Sequence, residues 1–256
     1  MPRARHILYM ALIVAFSTLA GLALGRGFHL LTAAENRLAD IRLAILSPSE
    51  PQNSDVVVVA ITEDTLATLP YRSPLDRGFL ADLLVTLEDA GVRAIALDIL
   101  FDQATEPAKD EALLGVLKRL EVPVVVAWAD ADDRLTERQQ IFLTAYLKGV
   151  NRGLARRETD PADGRVRRVF PGIRQNGEVI RGLAPALAAL LGAAVPEAPV
   201  PIAYRPGPAP GTSAFRVLPA HAVKLLPRQW LAGKVVLIGA DLPHDDRHLS
   251  TQYATT

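Results

Sequence analysis

No cysteine occurs among the 256 residues, which excludes disulfide frameworks, thiolate zinc sites and cysteine nucleophiles. Aromatic residues make up only 5%, too few to suggest a base-stacking or aromatic-caged ligand surface. Neither sign of charge is in surplus: 28 basic and 28 acidic side chains balance, whereas a general nucleic-acid binder carries a basic excess to neutralise phosphates. The motifs G-x-S-x-G, H-E-x-x-H and G-x-x-x-x-G-K-[ST] are all missing. Gly233-Lys234 precedes a strand-like run and does not close a strand-to-helix turn, so it reads as a turn rather than a phosphate loop. The chain is therefore read as a non-enzyme, with no resident cofactor, no metal and no nucleic-acid partner.

The balanced charge conceals an uneven distribution. Residues 1 to 29 hold Arg3, Arg5 and Arg26 and no acid. Between them, Ile7 to Gly25 reads ILYMALIVAFSTLAGLALG without a charge, close to the roughly 20 residues that cross a hydrocarbon core. The run is longer than the apolar region of a cleaved signal peptide and has no clear A-x-A at its end, so an uncleaved anchor is expected over residues 7–25. Arg3 and Arg5 place residues 1–6 in the cytoplasm and export everything after Arg26. Gly21 and Gly25 form a G-x-x-x-G pair that lets two membrane helices approach closely, which points to a homodimer.

Residues 26–53 read as an amphipathic linker helix, ending at Ser47, Pro48 and a polar stretch. The remainder, 54–256, alternates element types. Val56 to Ile61, Ala94 to Leu100 and Val122 to Trp128 are apolar strand patterns, separated by helices over Asp76 to Ala90 and Lys109 to Leu120. Such strands imply an α/β, three-layer sandwich with a mainly parallel central sheet, preceded by one N-terminal transmembrane helix. In the second half, Arg165 to Ile173 and Glu178 to Arg181 read as a hairpin around Asn176-Gly177. A helix is expected over Leu183 to Leu191, a short strand over Pro201 to Tyr204, a helix over Ala220 to Leu226 and a last central strand over Val235 to Gly239.

Ligands of open α/β sheets bind beyond the carboxyl ends of the strands. Those positions hold Glu63 and Asp64, Asp98 and Asp102, Trp128 and Asp130, and Asp241 with His244, Asp245 and Asp246. Carboxylates crowded into one crevice require a cation, an amine or arginine partners such as Arg72 and Arg77. The expected ligand-binding set is Asp64, Arg72, Arg77, Asp98, Asp102 and Asp246. Structural roles compete for the same residues: Asp98 sits in an apolar run and calls for an internal partner, and Arg72 and Arg77 beside Asp76 suit a turn and a helix cap. The segment from Arg152 to Arg181, with eight arginines against four acids, reads as a solvated hairpin face.

The order NRLADIRLAIL, VVVVAIT, PYRSPLDRGFLADLL, GVRAIALDILF, DPADGRVRR, GKVVLIG and DRHLSTQY resembles the CHASE sensor domain of the second type. The resemblance implies an extracytoplasmic receptor module in the bacterial inner membrane, binding an unknown small periplasmic ligand. Further transmembrane helices and a cytoplasmic output, most often a nucleotide cyclase or a histidine kinase, normally follow. The chain ends at Thr256, ahead of any such segment, and so reads as a piece of a longer protein. Thr62 stands where the family often carries an acid. The competing reading is a membrane-anchored periplasmic hydrolase that uses these carboxylates and His244 with a divalent metal.

Overall fold

The computed structural model describes residues 2–27, 29–130, 132–133, 135–175, 177–209 and 211–242. Two helices come first, α1 (Pro2–Gly27) and α2 (His29–Leu46). Among the described residues, no helix is long and apolar enough to cross a membrane.

The first strand, β1 (Asn53–Ile61), is set off from the linker by its own first side chain. Asn53 Oδ1 accepts the backbone N–H groups of Asp55 and Val56 at 2.8 and 2.9 Å, a local turn that the β-branched run then straightens. A short helix α3 (Glu63–Ala67) and then α4 (Arg77–Asp89) lead to β2 (Ala94–Asp98); α5 (Pro107–Arg119) leads to β3 (Val124–Trp128), and α6 (Glu137–Tyr146) to β4 (Arg152–Leu154). Later come β10 (Phe215–Pro219) and β11 (Val235–Ala240). These six strands form one sheet in the order β10-β1-β11-β2-β3-β4, and every neighbouring pair is parallel. The expected α/β class with a mainly parallel sheet is thus the observed one, and Val235 to Gly239 does lie at its centre.

Alternation along the strands divides the apolar residues between two faces. On one, Val57, Val59, Ile95, Leu97, Val126, Val236 and Ile238 pack with Leu80, Leu84 and Leu87 of α4 and Leu113 of α5. Burying each such side chain contributes about 1.5–3 kcal/mol. On the other, the small residues Ala94 and Ala96 with Val125 receive Leu187 of α7 (Leu183–Leu190). Close approach is enforced at Gly153, where a Cβ would lie 2.6 Å from the Leu183 Cα. This second covering layer is partial: Leu237 pairs in register with Ala96 yet is 36% exposed, and Val217, beyond it across β1, is 45% exposed.

Between β4 and β10 the chain departs from expectation only in part. The hairpin expected around residues 176 and 177 forms, with Gln175 opposite Glu178, but the run expected as its first strand, Arg165 to Ile173, is divided between two small sheets. β6 (Val166–Val169) pairs antiparallel with β5 (Glu158–Thr159) and β9 (Val200–Pro201), while β7 (Gly172–Gln175) pairs with β8 (Glu178–Arg181). Pro171 and Gly172 divide them. Gly172 has φ +125°, and a Cβ there would collide with the Ile180 carbonyl, so no other residue fits. The strand expected over Pro201 to Tyr204 shrinks to β9, and the helix expected from Ala220 is a 3-10 helix, Ala220–Leu225.

Candidate functional site

An all-parallel sheet gathers the carboxyl ends of its strands along one edge, and the predicted residues that the structure describes fall there or just beneath. Thr62 ends β1 and caps α3, its hydroxyl accepting from Thr65 N–H at 3.2 Å. Asp64 is exposed in the first turn of α3. Arg72 embraces Glu63 through two nitrogens at 2.7 and 2.9 Å, both groups largely in solvent. Asp98 closes β2 on its exposed side, so the internal position expected from its apolar neighbours is not where the backbone puts it. Asp102 accepts Gln139 Nε2 at 2.6 Å. Asp246, with His244 and Asp245, lies outside the described residues.

Arg77 is placed differently from the others. It is 1% exposed, with its guanidinium 4.3 Å above the Phe101 ring and Nε 3.5 Å from Asp110. Its other contacts are the carbonyls of Leu75 and Gln103, both at 3.5 Å. Burial pushes the guanidinium below its ordinary pKa, opposed by Tyr146, Asp110 and Asp102. Asp110 is held in turn by Thr105, whose N–H and hydroxyl donate to it at 2.8 and 2.7 Å. Tyr146 donates to the Asp110 carbonyl at 2.8 Å, and burial raises its phenol to about 12.

Asp76 completes this lock between α4 and α5. One oxygen accepts Phe79 N–H at 2.9 Å, capping α4, and the other accepts Lys109 Nζ at 2.7 Å. Burial would raise the Asp76 carboxyl, but these hydrogen bonds outweigh it and hold the group below its usual value. Lys109 also reaches Glu106, which accepts the Tyr71 hydroxyl at 2.8 Å. The block from Tyr71 to Arg77 therefore fixes the loops under the sheet edge.

A second centre lies under β3. Asp130, 3% exposed, receives Arg156 at 2.6 Å, and Arg156 also donates to Asp133 at 2.9 Å. Those contacts raise the Arg156 guanidinium, the Asp133 hydrogen bond first among causes.

In the segment read from sequence as a solvated face, Arg152, Arg157, Arg168, Arg174 and Arg181 are indeed exposed, but a third centre draws Arg167 inward. The turn Asp160-Pro161-Ala162-Asp163-Gly164 closes on a Gly164 of φ +70°, with Gly164 N–H bonded to the Asp160 carbonyl at 2.7 Å. It presents both carboxylates to Arg167: NH1 meets Asp160 at 3.2 Å and Asp163 at 2.7 Å. From the other side α2 delivers Asp40, whose two oxygens accept Arg167 Nε and NH2 at 3.2 and 2.8 Å. Asn36, one helical turn earlier, donates to Asp160 at 2.6 Å. The Asp40 side chain is 3% exposed and that of Arg167 14%. The hydrogen bonds to Asp163 and then Asp40 raise the arginine further above its ordinary value, and the same contact holds Asp163 below the usual carboxylate range. One arginine thus ties the entry helix to the domain. The i, i+4 spacing of Asn36 and Asp40, and of Asp163 and Arg167, was visible in sequence; their mutual approach was not.

What these groups show is hydrogen bonding and mechanical linkage between elements. Among the described residues no group of three or more His, Asp or Glu side chains stands as a metal site. Two cavities open away from the carboxyl edge. One of about 710 Å³ runs along α6 beside Ile141, Lys148 and Arg152; another, of about 310 Å³, lies at the amino end of β1 beside Gln52, Arg216 and Trp230. Compared with known proteins, residues 11–255 match the family model described as CHASE2 domain. No curated protein and no solved structure matches the chain.

Proposed function

The chain belongs to the CHASE2 domain family of extracytoplasmic sensor domains in signalling proteins, and on that premise we propose that it is the receptor region of a bacterial transmembrane protein. Residues 7–25 anchor it in the inner membrane, with the α/β domain in the periplasm and a nucleotide cyclase or histidine kinase as cytoplasmic output. The uncharged run and the arginines before it support the anchor and its direction. A small ligand engages the sheet edge through Asp64, Arg72, Asp98, Asp102 and Asp246, with Arg77 positioning the loop from beneath.

A domain without chemistry of its own signals only by favouring one of two conformations, because a ligand of equal affinity for both shifts nothing. The observation that carries the reading is the grip of Arg167 on Asp40, since it couples domain conformation to the helix that follows the anchor. The test is output activity of the membrane protein that carries this domain. Asp40→Ala should alter basal output, whereas Asp98→Asn should alter the response to ligand and leave basal output in place. Unaltered basal output in a folded Asp40→Ala protein would sink the proposed route.

A further inference from the structure

A helix on a domain surface ordinarily turns its apolar stripe inward and its polar side to water. α2 does the opposite. Asn36 and the buried Asp40 bind the domain from this helix. Leu31, Leu38 and Ile45 are instead 58%, 58% and 74% exposed, and Leu43 and Leu46 are 43% and 73% exposed. Leu31, Leu38 and Ile45 recur every seven residues, with Ala34 and the half-buried Ile41 three positions after the first two, which are the a and d positions of a heptad. At about 100° per residue this seam lies roughly opposite the side bearing Asn36 and Asp40, so the Arg167 contact keeps it facing outward.

We propose that the seam is covered by α2 of a second copy of this chain, in a parallel two-stranded coiled coil. A 3.5-residue apolar period is the pattern by which one helix packs along another, rather than against a sheet or loop. Residues 243–256 read PHDDRHLSTQYATT and contain only Leu249 and Tyr253 as large apolar side chains, too few to fill a five-position seam. The parallel orientation rests on the proposed anchor, because both copies enter one membrane from the same side; the seam itself does not. In that orientation Arg37, at a g position, approaches the partner's e position, which Arg42 occupies, and the like charges weaken the pair. An antiparallel arrangement would instead bring Arg42 towards Glu35 of the partner copy.

The chain has no cysteine, so single cysteines in the full chain, reconstituted in lipid bilayers, read the contact directly. Leu31→Cys, Leu38→Cys and Ile45→Cys should each form same-residue disulfide dimers several-fold more readily than Thr32→Cys and Leu43→Cys, which lie off the seam. Adding Arg42→Glu to the Leu38→Cys chain should raise its dimer yield several-fold, because Arg37 then faces a carboxylate. Yields along α2 no higher than at the two control positions would overturn the proposal. So would cross-linking confined to Gly21→Cys or Gly25→Cys, and so would a Leu31→Cys chain that pairs only with an Ile45→Cys chain, the antiparallel signature. Labelling Lys148→Cys with a membrane-impermeant thiol reagent reports the anchor separately, so failure of the dimer and failure of the sensor topology give different results.

Discussion

Replacing Arg167 with alanine leaves Asp40 buried at 3% exposure without its guanidinium, beside the carboxylates of Asp160 and Asp163. Breaking a buried ion pair by removing one partner costs about 3–5 kcal/mol, most of it the penalty of the charge left behind. Set against a total stability of about 5–15 kcal/mol, that is a large fraction. For a domain of this size each kcal/mol shifts the melting temperature by about 2–4 °C, so a fall of roughly 6–20 °C is expected if α2 melts with the domain. If α2 detaches first, the fall is smaller and the loss appears as faster amide exchange along residues 31–46. Thermal unfolding by circular dichroism and exchange by mass spectrometry together cover both routes. Asp40→Ala should cost less than Arg167→Ala, because it removes the buried charge along with the contact, and the double variant should show strong coupling. Arg167→Ala with unchanged melting and unchanged exchange in α2 would refute the argument, since a screened surface pair contributes only about 0–1 kcal/mol.

The acid response has a definite sign. The folded-state carboxyls of Asp163 and Asp76 are depressed, so their stabilisation is complete above the unfolded value of about 3.9 and is lost as pH falls through the lower folded values. Stability should therefore hold from pH 7 to 5 and drop below about pH 4, less steeply in Arg167→Ala; an equal slope in both proteins, measured by urea titration, would count against the Asp163 contact. Asp130→Asn should destabilise by about 1–3 kcal/mol, because Asp130 is buried against Arg156, while exposed Asp98→Asn should cost less than about 1 kcal/mol; denaturant midpoints that reverse this order would exclude the assignment. Gly153→Ala should cost about 1–3 kcal/mol by forcing α7 off β4, and a neutral effect would mean that the contact with Leu183 is looser than the geometry requires.

The central sheet was largely legible because its strands are uninterrupted apolar runs that only two-sided burial explains, and the helices between them keep a 3.6-residue rhythm. α6 left a readable signal that apolar periodicity alone passes over. Thr136 and Gln139 form a capping box, each satisfying a backbone or side-chain donor of the other. β4 and β10 left little trace, being a three-residue strand and an edge strand with an exposed arginine and valine. The edge acids were legible as residues that follow strands, but exposure was not: Asp98 and Asp130 each end or follow an apolar run, and one points outward while the other is sealed by Arg156. The i, i+4 spacing from Asp163 singles out Arg167 only weakly from Arg165 and Arg168, and says nothing of α2. Its partner Asp40 lies 127 residues away, and only the folded chain brings a polar side of α2 against the turn at Asp160.

The most direct measurement of the account is the side of the membrane on which the domain lies. Ala4→Cys and Lys148→Cys, introduced separately into the cysteine-free chain, are treated in intact cells with a membrane-impermeant thiol reagent that passes the outer envelope. An extracytoplasmic domain on an N-terminal anchor leaves the cysteine at position 148 open to modification, and the one at position 4 protected until the membrane is opened. Modification of position 4 in intact cells, or protection of position 148 until lysis, would contradict an extracytoplasmic sensor held by its N-terminal helix.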